Sequence, residues 1–259
     1  MENTTFFLRR LRRRARRYCV MAPMVRANAT PQAAGHSYNK RMALIPHRFL
    51  LRLSYPCLYA RKIPLDNDDA LLDLSADYRI DNFAAMDGQT NFADVRLAWN
   101  DSGIGIQVQV TEKEVPPQGS PDRPRGSDGL TLWLDTRGDR TFHRASRHCH
   151  QFHFLPAAGG SERDEPLFGQ SKINRALQDA PFADASDVPL RVERIKGGYR
   201  LEAFLPAEAL IGFDPAEHPK LGFYYAVRDL ERGEQTLAVG ADFPFADDPS
   251  LWTTLELVK

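Results

Sequence analysis

The stretch "DVRLAWNDSGIGIQVQVT", residues 94–111, decides how the rest of the chain is read. Val95, Leu97 and Trp99 share one parity, and Ile104, Ile106, Val108 and Val110 share another, opposed by Gly105, Gln107, Gln109 and Thr111. Successive side chains on a strand point to opposite faces, so each half of the stretch is a strand with one apolar face. Asn100-Asp101-Ser102-Gly103 between them supplies turn chemistry, and the whole is predicted to be a hairpin.

Working outward, "DGLTLWLD" (128–135) alternates Leu130, Leu132 and Leu134 with Thr131, Trp133 and Asp135. Three further strands are predicted in "LRVERIK" (190–196), "GYRLEAFL" (198–205) and "LGFYYAVRD" (221–229), and "LWTTLELV" (251–258) closes the sheet. Gly197-Gly198 is a hairpin turn and "PAEAL" (206–210) a helical turn. Residues 111–127, rich in Pro and Gly, are expected to form a surface loop. Residues 156–190 are expected to be mostly loop, with a short helix in "QSKINRALQDA". Many short strands with little helix predict an all-β fold, an antiparallel β-sandwich of jelly-roll type with a few short helices.

Charge divides the chain. Residues 1–41 carry ten Lys/Arg against one acid, Glu2, leaving 24 basic and 33 acidic residues in 42–259. The expected organisation is a disordered Arg-rich leader over 1–41 and one β-sandwich domain over 42–259. The acidic body is a poor match to a phosphate backbone, so no nucleic-acid partner is expected. The leader lacks the unbroken apolar run of a secretory signal, and its arginine run is too long for a twin-arginine one. The odd, unpatterned Cys19, Cys57 and Cys149 fit a reducing compartment, so a cytoplasmic location is expected over secretion. No segment approaches the roughly 18 apolar residues of a membrane span.

Four of the seven histidines lie in "TFHRASRHCHQFHFLP" (141–156), which as a bare inventory suggests a metal centre. With Phe152 and Phe154 facing the core, His148 and His150 fall on their side, while Cys149, Gln151 and His153 point away. Cys149 and His153 would then be roughly 13 Å apart, too far to share an ion. Only the His148/His150 pair could bind a metal, with a third ligand that the sequence does not identify, and Arg144 and Arg147 beside it oppose a cation.

The outward-facing residues Gln107, Gln109, Trp133, Gln151, His153, Arg200, Glu202, Tyr224 and Arg228 combine planar polar groups with aromatics. If their strands share one sheet, they form a common exposed platform. Amides, guanidinium and carboxylate groups pair with vicinal hydroxyls, and a ring covers the C–H face of a pyranose, so the platform suits a sugar. The competing reading is an ordinary solvated sheet face.

The order of "LAWNDSGIGIQVQV", "SDGLTLWLDTRGD", "GGYRLEAFLPAEAL", "LGFYYAVRDLERG" and "PSLWTTLELV" resembles the family-nine carbohydrate-binding modules and their DOMON-like relatives, over about residues 65–258. The resemblance implies a β-sandwich and non-catalytic carbohydrate binding, with a terminal sugar held between two tryptophans. Trp133 and Trp252 are the candidates for that role, and Trp99 is assigned to the core. Some members hold structural calcium, for which Asp135 and Asp139 are the weak candidates here; no other cofactor is expected. An axial haem pair, as in some DOMON-like relatives, would need Met86. No GxSxG, HExxH, Walker or CxxC motif is present, so a catalyst is not expected. Metal binding, a DOMON-like redox or ligand-binding role and a protein-interaction module stay open as alternatives.

Overall fold

A computed structural model describes residues 47–66, 69–89 and 91–259; the leader assigned to 1–41 lies outside these described residues. The strands are β1 (Ser54–Tyr59), β2 (Ala93–Asn100), β3 (Gly103–Val110), β4 (Gly129–Asp135), β5 (Cys149–Gly159), β6 (Glu165–Ser171), β7 (Leu190–Ile195), β8 (Gly198–Pro206), β9 (Lys220–Asp229), β10 (Gly233–Thr236) and β11 (Thr253–Val258). Helix among the described residues is confined to 3-10 turns of three or four residues. None is long and apolar enough to cross a membrane.

The hairpin at 94–111 forms as its pattern requires. Asp101 and Ser102 make the turn, and Asn100 Oδ1 accepts from the Ser102 backbone N–H at 2.9 Å and from its hydroxyl at 2.7 Å. Glycine is required at 103, where a Cβ would lie 2.2 Å from the Leu205 carbonyl oxygen of the neighbouring β8.

The hydrogen-bonded order is β6-β5-β4-β9-β11-β1-β2-β3-β8-β7, with β10 beside β9. This sheet folds over as a sandwich. β4, β5, β6, β9, β10 and β11 form one layer; β2, β3, β7 and β8 form the other, and β1 joins the two. Leu130, Leu132, Leu134, Phe152, Phe154, Phe223 and Val227 from the first layer meet Val95, Leu97, Ile106, Val108, Leu201 and Leu205 from the second in one buried core. At about 25 cal/mol per Å² of apolar surface removed from water, this shared interior is the main source of cohesion. Trp99 belongs to it, as its parity predicted.

Four expectations need correction. β1 is parallel to both β11 and β2, so the sandwich is not purely antiparallel. The expected helix at 170–180 does not form; the end of β6 and a run of turns occupy it. β5 runs on to Gly159 and β6 fills 165–171, where loop was expected. β6 is a half-exposed edge strand without alternation, selected by pairing with β5 and not by its own pattern. Lys113 is buried despite lying in the expected surface loop: its ammonium sits 3.2 Å from Asp128 and 2.9 Å from Asp229. Burial opposes its charge, but hydrogen bonds to Asp229 and Asp128 outweigh that and raise its pKa.

Candidate functional site

The expected platform does not exist as one surface. Trp133, Gln151, His153, Tyr224 and Arg228 lie on the outer face of the β4–β5–β9 layer. Gln107, Gln109, Arg200 and Glu202 lie on the outer face of β3 and β8, in the opposite layer. Strand parity assigns a side chain to the inside or the outside, but two layers have two outsides.

On the β3–β8 face the polar groups hold the protein's own chain. Glu202 accepts from the backbone N–H groups of Leu71 and Leu72 at 2.8 and 3.2 Å. Gln107 accepts from that of Leu74 at 3.3 Å. Arg200 donates to the Leu72 carbonyl at 2.9 Å and pairs with Glu202 at 2.6 Å. Arg96 donates to the Leu74 carbonyl at 2.7 Å. The segment so held places Ile63, Leu72 and Leu74 over Ala98 and Phe204 as a second small core. Arg200 and Glu202 are thus engaged in clamping this segment.

The aromatics on the other face are sealed as well. Trp133, Tyr224 and Trp252 have relative exposures of 1%, 0% and 0%, so none can stack on a ligand in this conformation. The segment after β10 lies over them. Phe245 stacks on Tyr224 at 4.5 Å and meets Trp133 edge-on at 5.4 Å. Trp252 donates from its indole nitrogen to the Phe245 carbonyl at 2.7 Å, and the Tyr224 hydroxyl donates to the Val239 carbonyl. Rings that read as exposed in a single strand are the inner face of a third packed layer.

Beside this cover runs a buried polar relay that ends at half-buried Ser171. Trp133 donates to Gln151 Oε1 at 3.0 Å, and the Gln151 amide nitrogen lies 3.3 Å from His153 Nε2. Ser171 Oγ is 2.9 Å from the same Nε2, and Thr131 Oγ1 is 3.1 Å from Nδ1. An amide N–H only donates, so this assignment makes His153 an acceptor at Nε2 and a donor at Nδ1, the neutral ring. Burial, with Arg125's charge second, pushes its pKa down to about 4.

Gln151 and Ser171 form part of an open cleft of about 590 Å³, which Asn174, Asp247, Lys172 and Arg125 also line. The Arg125 guanidinium carbon lies 5.8 Å from the centroid of the Trp133 ring. The cleft offers amide, hydroxyl, carboxylate and cationic groups at close quarters, a set suited to hydroxyl-rich ligands. Of the eight expected ligand residues, only Gln151 reaches it. Arg228 is partly exposed on the same layer but does not line it. Sequence reasoning missed Ser171, Asn174, Asp247 and Arg125 because they come from strand ends and turns, which carry no period-two signal.

The expected metal residues do not assemble. His150 is 1% exposed and stacked on Phe152 at 5.3 Å, and neither of its ring nitrogens has a hydrogen-bond partner. Burial, with His148's charge second, pushes its pKa down to about 4. His148 turns its Nδ1 to the Ile211 carbonyl at 3.3 Å. Asp135 closes the turn after β4 by accepting from the Arg137 N–H at 3.0 Å, and exposed Asp139 accepts from the Thr141 N–H and hydroxyl. Among the described residues no group of three His, Cys, Asp or Glu is placed to hold an ion.

No protein-family model matches the sequence, and no curated protein matches it. Among solved structures, the chain is similar to a family 9 carbohydrate binding module from Caldicellulosiruptor kristjanssonii in complex with cellotriose. That match has a TM-score of 0.55 and 16% identity, covering 80% of this chain and 94% of that one. A second, to a family 9 module from the same organism in complex with glucose, has a TM-score of 0.52 and 15% identity, covering 79% and 95%. At these identities the likeness is one of fold.

Proposed function

We propose that this protein is a non-catalytic carbohydrate-binding module, taking its sugar in the cleft above β5 and β6. The observation that carries the reading is the cleft itself: Gln151 and Ser171 on the sheet, with Asn174, Asp247 and Lys172 around them, gather amide, hydroxyl, carboxylate and ammonium groups in one open cavity. The fold supports it, since the two similar solved modules were obtained with cellotriose and with glucose. Recognition in this reading is by hydrogen bonds and not by ring stacking, because Trp133 and Trp252 are covered, and it calls for no metal and no catalytic group.

Calorimetric titration of the full chain with glucose and cellotriose tests it. Saturable binding is expected, weakened about tenfold by Asn174→Ala or Asp247→Ala, the loss of about 1.4 kcal/mol that one hydrogen bond to a ligand typically represents. Neither residue lies in the core, so both variants keep the fold. Binding that is absent, or unchanged in both variants, sinks the assignment.

A further inference from the structure

A second cavity, of about 580 Å³, opens where the 3-10 turn His47–Leu50, the start of β11 and the loop after β4 meet. Its walls are uneven in character. Phe49, Leu53, Leu251 and Trp252 make one side apolar, while Arg52 and Arg140 line it with positive charge. Arg48 lines it too, but its charge is met by Asp87 at 2.6 Å, and it donates to the Thr236 carbonyl at 2.8 Å.

Arg52 and Arg140 have no such partner. Neither forms an ion pair with any described residue. Arg140 donates once, to the Thr254 hydroxyl at 3.1 Å, and its buried Nε has no acceptor. Burial, with Arg52's charge second, lowers the pKa of this guanidinium. Two further carboxylates adjoin the lining, and both are engaged elsewhere: Asp139 by the Thr141 N–H at 3.0 Å and hydroxyl at 2.7 Å, and Asp248 by His143 at 3.0 Å and the Ser250 backbone N–H at 2.9 Å. The sole acid in residues 1–46 is Glu2. A partly buried guanidinium next to a second one, with no ion-pair partner among the described residues, is costly on its own and favourable once an anion lies between them.

We infer that this cavity is an oxyanion site, taking the carboxylate or phosphate of a small organic acid between Arg52 and Arg140, with the organic body against Phe49 and Leu251. The forked N–H groups of both arginines suit planar and tetrahedral oxyanions alike. The site is separate from the neutral-sugar cleft and does not depend on it.

Titration of the full chain with glucuronate, glucose 6-phosphate and inorganic phosphate, followed by calorimetry and melting temperature, tests the inference. At least one organic anion is expected to bind saturably, tighter than inorganic phosphate, and to raise the melting temperature. Arg140→Gln and Arg52→Gln should each weaken it tenfold or more. Without ligand, Arg140→Gln should melt no lower than the wild type, a result that a purely structural arginine would not give. Should Arg140→Gln fail to fold, exposed Arg52→Gln carries the test. Absence of binding by all three anions, or equal binding in the Arg52→Gln variant, overturns the site; inorganic phosphate binding as tightly as both organic anions overturns the organic body.

Discussion

The two outer faces of the sandwich carry similar side chains and use them differently. Over β3 and β8 the cover is backbone from residues 71–74, which brings amide and carbonyl groups that must be satisfied, so Gln107, Arg200, Glu202 and Arg96 are consumed in holding it. Over β4 and β9 the cover is aromatic, Phe245 on Trp133 and Tyr224, and it meets ring with ring. That cover leaves the polar groups at its margin, Gln151 and Ser171, facing a cleft. A polar residue pointing away from the main core is thus no sign of a ligand until it is known what the chain lays across it.

Glu202→Ala breaks the comparison hardest. It leaves the half-buried Leu71 and buried Leu72 N–H groups without their acceptor and Arg200 without its carboxylate, and a loss of about 3 kcal/mol is expected on the scale of unsatisfied buried groups. Urea unfolding measures the loss, and hydrogen exchange should show the Leu71 and Leu72 amides opening first. An unchanged midpoint would mean that the clamp holds nothing.

Acid separates the faces next, because it acts through the β5 histidines. His150 and His153 are held neutral in the fold, with pKa values pushed down to about 4 from 6.5 by burial. Between pH 6.5 and 4 the unfolded chain binds protons at these positions and the folded chain does not. Their contribution is therefore fully present above pH 6.5 and is lost as pH falls towards 4, by about 3 kcal/mol for each histidine. Denaturant midpoints measured across this range check the slope; a flat profile would contradict it.

His150→Leu sharpens the point, since it removes a buried ring with no hydrogen-bond partner from the core side of β5. A gain of about 1–2 kcal/mol at neutral pH is expected, from the cost of burying an unsatisfied polar group, and roughly half of the acid slope should disappear. His153, hydrogen-bonded to Thr131 and Ser171, should show no such gain on the same replacement.

The smallest effect concerns Arg125, which lies over the Trp133 ring at the edge of the cleft. Arg125→Ala should leave stability within about 1 kcal/mol, as expected for an exposed cation–π contact. It should also raise quenching of tryptophan fluorescence by acrylamide. If a bared indole then adds stacking to the cleft, cellotriose affinity rises; no rise would show that Phe245 alone seals the ring.

Much of the architecture was legible in the residues. The parities of Leu130 to Leu134, Phe152, Phe154 and the 94–111 hairpin all assign the right side chains to the main core, because alternation is local and a buried face is uniformly apolar. β1 and β6 were not legible, since their own residues alternate weakly and pairing partners distant in sequence select them. The candidate site was legible only at Gln151. Its companions Ser171, Asn174 and Asp247 enter from separate segments, and no spacing rule links them.

The sequence by itself determined that this chain forms many short strands, which side chains turn to the main core, and that Cys149 and His153 lie too far apart on one strand to share an ion, all of which follow from a two-residue period along a single strand. Only the tertiary structure decided which layer each strand joins and what covers each outer face. Those depend on contacts between residues more than a hundred positions apart, such as Leu71 with Glu202, and such contacts form from the whole arrangement of strands and leave no periodic trace in the chain.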